Sequence, residues 1–178
     1  KLHEALEARK RDNALINLRL KLMQYAADHS FEALMQTSLD EVEKLTGSNI
    51  SFHHAIQADQ KTLTLTAWST NTVTKFCKID GLAAHCDIDE VGVWGDCVRE
   101  RKPVIHNDCE SLPHKKGLPE GHADVERQLV VPIFRNKRIV SILGVGNKPS
   151  DYTREDVQTV TYCADVIWDI SERIETMA

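Results

Sequence analysis

The sequence predicts an α+β domain, an antiparallel sheet with helices packed on it, from three observations. Apolar residues recur at helical spacing at both ends of the chain, they alternate with period two in two stretches between, and short polar turns fold each alternating stretch back on itself. The 178 residues, 42% hydrophobic and 28% charged, suffice for one buried core plus an appended element.

The first element is a helix. Residues 1–29 contain neither Gly nor Pro, and Leu15, Leu18, Leu22 and Tyr25 keep three-then-four spacing beside a second stripe of Ile16, Leu20, Met23 and Ala27. The opening KLHEALEARKRDN is largely polar, so this end projects from the domain or pairs with another copy. A second helix has Ser30 as its N-cap, Phe31, Leu34, Met35, Leu39, Val42 and Leu45 as apolar positions, and Gly47 as its stop. The alternative sets Ser30 inside one long helix.

From residue 49 the period is two. Ile50, Phe52, His54 and Ile56 alternate with Ser51, His53, Ala55 and Gln57; beyond the polar ADQK, Leu63, Leu65 and Ala67 alternate with Thr62, Thr64 and Thr66. These make one hairpin. QLVVPIF and RIVSILGVGN, flanking the turn residues Arg135, Asn136 and Lys137, make the second. Pro132 has no donor for a ladder, so its strand belongs at an edge or carries a bulge there. Between the hairpins, residues 71–128 hold a short helix over WGDCVRERK, a brief strand at Pro103 to His106 and a loop thick with Pro, Gly and His; connections that long are commonly functional. Thr153 and Asp156 form a capping box before the last helix, whose seam is Val157, Val160, Ala164, Ile167, Ser171 and Ile174.

Composition excludes several classes. With 22 Lys and Arg against 27 Asp and Glu, the net charge of −5 argues against a nucleic-acid face built on bulk charge. Apolar runs fall far short of the ~20 residues a membrane helix needs. Five cysteines, at 77, 86, 97, 109 and 163, form no CxxC pair, so neither a disulfide framework nor a zinc ribbon is indicated. All five thiols are expected to be free in a reducing cytoplasm. The start at Lys1, without a leader pattern, reads as a segment of a longer protein. Gly144-Val-Gly146 lies late in a strand with no third Gly opening a helix, and reads as close backbone packing or a bend rather than a phosphate loop. GxSxG, HExxH and GxxxxGK[ST] are all absent, so no catalytic residue is assigned.

The run GVWGDCVRERKPVIHND and the later LVVPIFRNKRIVSILGVGNKPSDYTREDV resemble a GAF domain over roughly residues 30–172. RKPVIHND, the VPI strand before a basic turn, and the Asn147-Lys148 exit before the last helix carry the likeness. The resemblance implies a central antiparallel sheet of about six strands, N- and C-terminal helices packed on one face, and a ligand cavity on the other. It divides the chain into a linker or dimerisation helix at 1–29, the GAF domain at 30–172, and a C-terminal helix at 153–178 continuing towards an output module. GAF modules commonly sit in sensor histidine kinases, diguanylate cyclases and transcription activators, where they bind small molecules or dimerise.

The resemblance places Trp94, Cys97, His106, Asn107, Asp108, His114, His122 and Glu126 around that cavity, with the hydrogen-bonding capacity a polar ligand needs. His106 is expected to bind, Asp108 to brace the loop, Trp94 to form an apolar wall, and His114 and His122 to be brought back by Pro and Gly turns. Read as scaffolding instead, His106, Asn107 and Asp108 satisfy loop backbone. His106, Asp108, Cys109, His114 and His122 are also of metal-ligating type, though no HxxxH or CxxC spacing fixes two ligands on one element. No cofactor is named: a haem needs one axial His or Cys, and no CxxCH marks one. Some GAF proteins reduce free methionine sulfoxide with a thiolate, and Cys86, Cys97 and Cys109 lie in the corresponding segment.

The expected function is a cytoplasmic, small-molecule-sensing and dimerising regulatory domain of a sensor histidine kinase or cyclic-dinucleotide enzyme, without catalysis of its own. A ligand-free dimerisation module and a thiol-dependent reductase are the alternatives. The expected partners are an unidentified small molecule and a second copy, with neither nucleic acid nor membrane. Dimerisation is expected through Leu15, Leu18 and Leu22 of the first helix and Val160, Ile167 and Ile174 of the last.

Overall fold

A computed structural model of the protein describes residues 1–76, 85–88, 92–112 and 124–177. Helices α1 (Leu2–Ala26) and α2 (Phe31–Thr46) are separate. Ser30 divides them: its backbone is extended, and its Oγ accepts the Ala33 N–H at 3.1 Å, satisfying a donor that the first turn leaves free. Gly47 ends α2 at φ +72 and donates its N–H to the Glu43 carbonyl. A short helix, α3 (Asp96–Glu100), precedes α4 (Arg154–Met177). The expected capping box opens α4, with Thr153 N–H donating to Asp156 Oδ2 at 2.9 Å and Asp156 N–H to Thr153 Oγ1 at 3.4 Å.

Among the described residues six strands form one antiparallel sheet: β1 (Ile50–Ile56), β2 (Thr62–Trp68), β3 (His85–Asp87), β4 (Val104–His106), β5 (Gln128–Arg135) and β6 (Arg138–Gly146). Their order is β3-β2-β1-β6-β5-β4. Each hairpin is set by its turn. Asp59 Oδ1 accepts the N–H groups of Lys61 and Thr62, both at 2.9 Å, and the Gln60 amide exchanges two 2.8 Å bonds with the Ile139 backbone, extending the ladder onto β6. Between β5 and β6 the turn is only Asn136 and Lys137, at φ 52 and 64; Arg135, expected in the turn, still pairs with Arg138. Pro132 lies on an inner strand, but β4 covers only Gln128 to Val130 and the β5–β6 register shifts at Ile133/Phe134, so its missing donor breaks no ladder bond.

α1, α2 and α4 cover one face. Leu18 and Leu22, Leu34, Met35 and Leu39, and Val160, Ala164 and Ile167 meet Leu129, Val131, Leu143 and Val145 in a single buried cluster. Burying each large side chain is worth roughly 1.5–3 kcal/mol. This packing corrects the expected association surface. Leu18, Leu22, Val160 and Ile167 are consumed inside the protomer, and Leu15 and Ile174 are partly buried against the same cluster. Their spacing serves the sheet, so a charge at Ile167 tests the core and not an interface. Of the two stripes on α1, the one facing outward is Ile16, Leu20 and Met23, together with Leu2 and Leu6.

The Ser48 hydroxyl lies 2.7 Å from the Tyr152 hydroxyl, which ties the end of α2 to the start of α4. Arg11 meets Glu155 at 2.7 Å, so α4 begins beside the middle of α1. α2 therefore runs against α1 and α4, which run the same way. No helix among the described residues is long and apolar enough to cross a membrane.

Candidate functional site

Alternation along β1 sends Ser51 and His53 towards the helices and Phe52 and His54 to the opposite face. There Ile56, Leu63, Val130, Ile139 and Ile142 form a second core with Cys97 and Val98 of α3, Ile88, Trp94 and Val104. Trp94 sits on the turn of 3-10 helix Val93–Gly95, just before α3. Its ring tilts over His54 with centroids 4.7 Å apart and stands edge-on to Phe52 at 5.5 Å, while Phe52 meets His54 at 5.2 Å. Gly144 leaves room for this cluster: a Cβ there would stand 2.3 Å from Phe52 Cζ. Burial, reinforced by the neighbouring His53, pushes the His54 imidazole down to about 3, so the ring is neutral at pH 7. Its Nδ1 is buried with no hydrogen-bond partner.

A charged brace closes one end of this face. Asp96 opens α3 at 7% exposure; its Oδ2 accepts from His106 Nε2 at 2.8 Å and its Oδ1 from Arg99 Nη1 at 2.7 Å. Arg99 reaches on to the carbonyls of Ile88 at 2.7 Å and Gly92 at 3.1 Å through charge-assisted bonds. Gln128 is the Cα partner of His106 across β4 and β5, is buried, and has an Nε2 without a partner. The face thus carries an aromatic wall with a neutral imidazole, an ion pair between Asp96 and Arg99, and the unpartnered Nε2 of Gln128.

Among the expected site residues, Trp94, Cys97 and His106 come together here. Asn107 turns elsewhere: its amide donates to the Tyr152 carbonyl at 3.3 Å and accepts the Tyr152 N–H at 2.8 Å, clasping β4 to the approach of α4. Asp108 is exposed at the start of a 3-10 turn, and its carbonyl accepts from Ser111 Oγ at 3.2 Å. Glu126 is exposed, and its N–H donates to Asn147 Oδ1 at 2.8 Å. His114 and His122 lie outside the described residues. Among those described, no three His, Cys, Asp or Glu gather as metal ligands. Open clefts lie away from this face. One of about 440 Å³ lies between the end of α2 and Thr70–Asn71, and another of about 300 Å³ between α1 and the start of α4.

Phe52, His54, Asp96, Arg99 and Gln128 are the site residues that sequence reasoning did not single out. The period-two pattern already set Phe52 and His54 on one face of β1. Asp96 and Arg99 stand three apart, the spacing of neighbours on a helix surface.

The decisive comparison follows from this architecture: a model of the GAF domain family matches residues 28–171. The chain belongs to the GAF domain family. This GAF domain is 34% identical over 148 residues to the methyl sulfide methyltransferase-associated sensor of Methanosarcina acetivorans, covering 83% of this chain and 15% of that much longer protein. Its fold is similar to the GAF domain of an Acinetobacter phosphoenolpyruvate-protein phosphotransferase, with TM-score 0.69 and 12% identity over 92% of this chain and 95% of that one. It is also similar to a free methionine-R-sulfoxide reductase from Neisseria meningitidis, with TM-score 0.67 and 13% identity over 92% of each chain. At such identities the likeness is one of fold, which hosts both an enzyme and a domain of a phosphotransferase.

Proposed function

We propose that this GAF domain senses a small molecule within a longer cytoplasmic signalling protein, a sensor histidine kinase or a cyclic-dinucleotide enzyme, and that its copies associate through terminal helices. The observation that carries the sensing reading is the sheet face where the aromatic wall of Phe52, His54 and Trp94 accompanies two buried polar groups, His54 Nδ1 and Gln128 Nε2, without partners. Buried polar atoms are nearly always paired, so two orphans on one face mark places where a bound molecule supplies the missing bond. The name of the 34% identical relative, a sensor, supports the same class.

The thiol-reductase alternative fits less well. A catalytic thiol needs a lowered pKa and access. Cys97 is fully buried and its thiol is pushed up to about 12, first by burial and then by Asp96; Cys109 is 1% exposed. The side chain of Cys86 lies outside the described residues.

Thermal-shift measurements with methyl sulfides, methionine, free methionine-R-sulfoxide and cyclic nucleotides test the reading. A true ligand at 100 times its Kd stabilises by ~2.7 kcal/mol. Gln128→Met should abolish that gain while leaving the empty protein as stable or more so, because the substitution removes an orphaned donor. If no compound shifts the wild type, the ligand-free dimerisation module takes its place; turnover of the sulfoxide with added thiol would restore the reductase.

A further inference from the structure

α1 is apolar on two sides. The inner side packs on the sheet and its neighbouring helices, while on the outer side Leu2, Leu6, Ile16, Leu20 and Met23 are 76, 50, 55, 54 and 42% exposed. These positions follow the alternating four-and-three rhythm of a coiled-coil seam, with Arg9 and Asn13 filling the two places between Leu6 and Ile16. The seam runs along a 25-residue helix, about 37 Å at the standard rise. Among the described residues little covers its beginning: of residues 2–10 only Ala8 is even partly buried. An isolated helical stretch of that length is marginal in water.

We propose that the outer face of α1 is covered by α1 of a second copy, the two helices lying parallel and in register at Asn13. This rests on the association named above and specifies its surface and geometry. Leu6, Asn13 and Leu20 take the a positions of the seam; Leu2, Arg9, Ile16 and Met23 take the d positions. A lone Asn at an a position is a poor match for an apolar partner, but opposite its own copy it hydrogen-bonds, fixes register and favours two strands. The antiparallel alignment that sets Leu2 against Leu20 would bring Asp12 to Asp12 and Lys10 to Lys10 along the flanks. The parallel one sets Lys10 near Ala5, Asp12 near Asn17 and Arg19 near Gln24, with no like-charged flank. Arg9 opposes itself in the parallel pair, and its long stem carries the guanidinium outward towards Asp12. α4 is not the occupant: it starts at Arg11 and runs away from Leu2 and Leu6.

Sedimentation equilibrium on the whole chain tests the surface, comparing wild type with Leu6→Glu/Leu20→Glu. Both leucines are exposed in the protomer, so its core is untouched and its circular dichroism should persist. Two lost apolar layers at about tenfold each should weaken dimerisation by roughly 100-fold. Oxidation of Asn13→Cys should give a disulfide-linked dimer, whereas mixed Arg9→Cys and Asn13→Cys proteins should not join to each other. A wild type that stays monomeric at high micromolar concentration overturns the association and this seam together. A dimer indifferent to the double substitution leaves association standing and overturns the seam. Linkage of position 9 to position 13, without 13 to 13, overturns the parallel register.

Discussion

The ring of Phe52 occupies the place where any larger residue at Gly144 would carry its Cβ; the two residues are Cα partners across β1 and β6, and that atom would lie 2.3 Å from Phe52 Cζ. The ring's retreat is restricted, since it also meets His54 and Trp94. Gly144→Ala should therefore cost about 1–3 kcal/mol, the usual price of overpacking, and change the near-ultraviolet signal of Trp94. Phe52→Leu in the same chain should recover much of that loss. Equal losses from Gly144→Ala with and without Phe52→Leu would show that the contact does not matter.

A second prediction concerns the joint between α2 and α4. Tyr152 is 3% exposed, its hydroxyl pairs with Ser48 at 2.7 Å and accepts the Lys148 N–H at 3.3 Å, and Ser48 in turn meets Thr46 at 2.7 Å. Tyr152→Phe leaves a buried hydroxyl and a backbone donor short of a partner, so urea unfolding should report a loss of about 1–2 kcal/mol. Ser48→Ala should lose a similar amount, and the double variant less than the sum because the two share one bond. Strict additivity would count against the chain of hydroxyls.

How much of this was legible in the sequence depended on whether local pattern alone decides the outcome. Ser30, Gly47, Thr153 and Asp156 act through bonds to their own neighbours, and each does in the structure what its position announces. The α1 stripes are different. Periodicity shows that Leu18 and Leu20 face apart, but which faces the sheet is settled by tertiary packing, and the expected dimer surface was therefore placed on the inner stripe. In the site, Trp94 and His106 were visible as chemistry-bearing residues of a long connection. Asp96 and Arg99 were not, because a charged pair on a short helix reads as a solvated face; Gln128 reads as the polar edge of a strand. Asn107 clasps the Tyr152 backbone, and an amide that does so carries the same sequence signature as one that binds a ligand.

The cysteines offer a third prediction. Cys97, Cys109 and Cys163 are buried, and burial pushes the thiols of Cys97 and Cys163 up to about 12. Iodoacetamide at pH 8 should leave these three unmodified in the folded protein and alkylate all three once urea is added, as peptide mass mapping would reveal. Rapid labelling of Cys97 in the native state would contradict the packing of α3 and reopen the reductase reading.

The fourth prediction concerns pH and is carried by His53. It is 3% exposed, neither ring nitrogen has a partner, and burial pushes its pKa down to about 4 from the usual 6.5. His54 is depressed likewise, to about 3. Both rings thus decline in the folded chain a proton they accept near pH 6.5 once unfolded, and wherever the unfolded state binds more protons stability rises with pH. Stability should be full above pH 6.5 and fall as pH drops below it, with a slope of up to about 1.4 kcal/mol per pH unit for each histidine. Glu43 works in the opposite sense: burial raises its pKa above 4.5, so its contribution declines as pH climbs through that range and partly offsets the histidines at the acid end. His53→Leu removes one titrating ring and two orphaned nitrogens, and should stabilise the protein at pH 7.5 by about 1–3 kcal/mol. Its advantage over wild type should widen by about a further 1 kcal/mol at pH 5.5, because the variant no longer pays one proton's share of the linkage. Urea unfolding at pH 7.5, 6.5, 5.5 and 4.5 reads both effects, and parallel stability curves for the two proteins would mean that His53 finds a proton partner in the folded state.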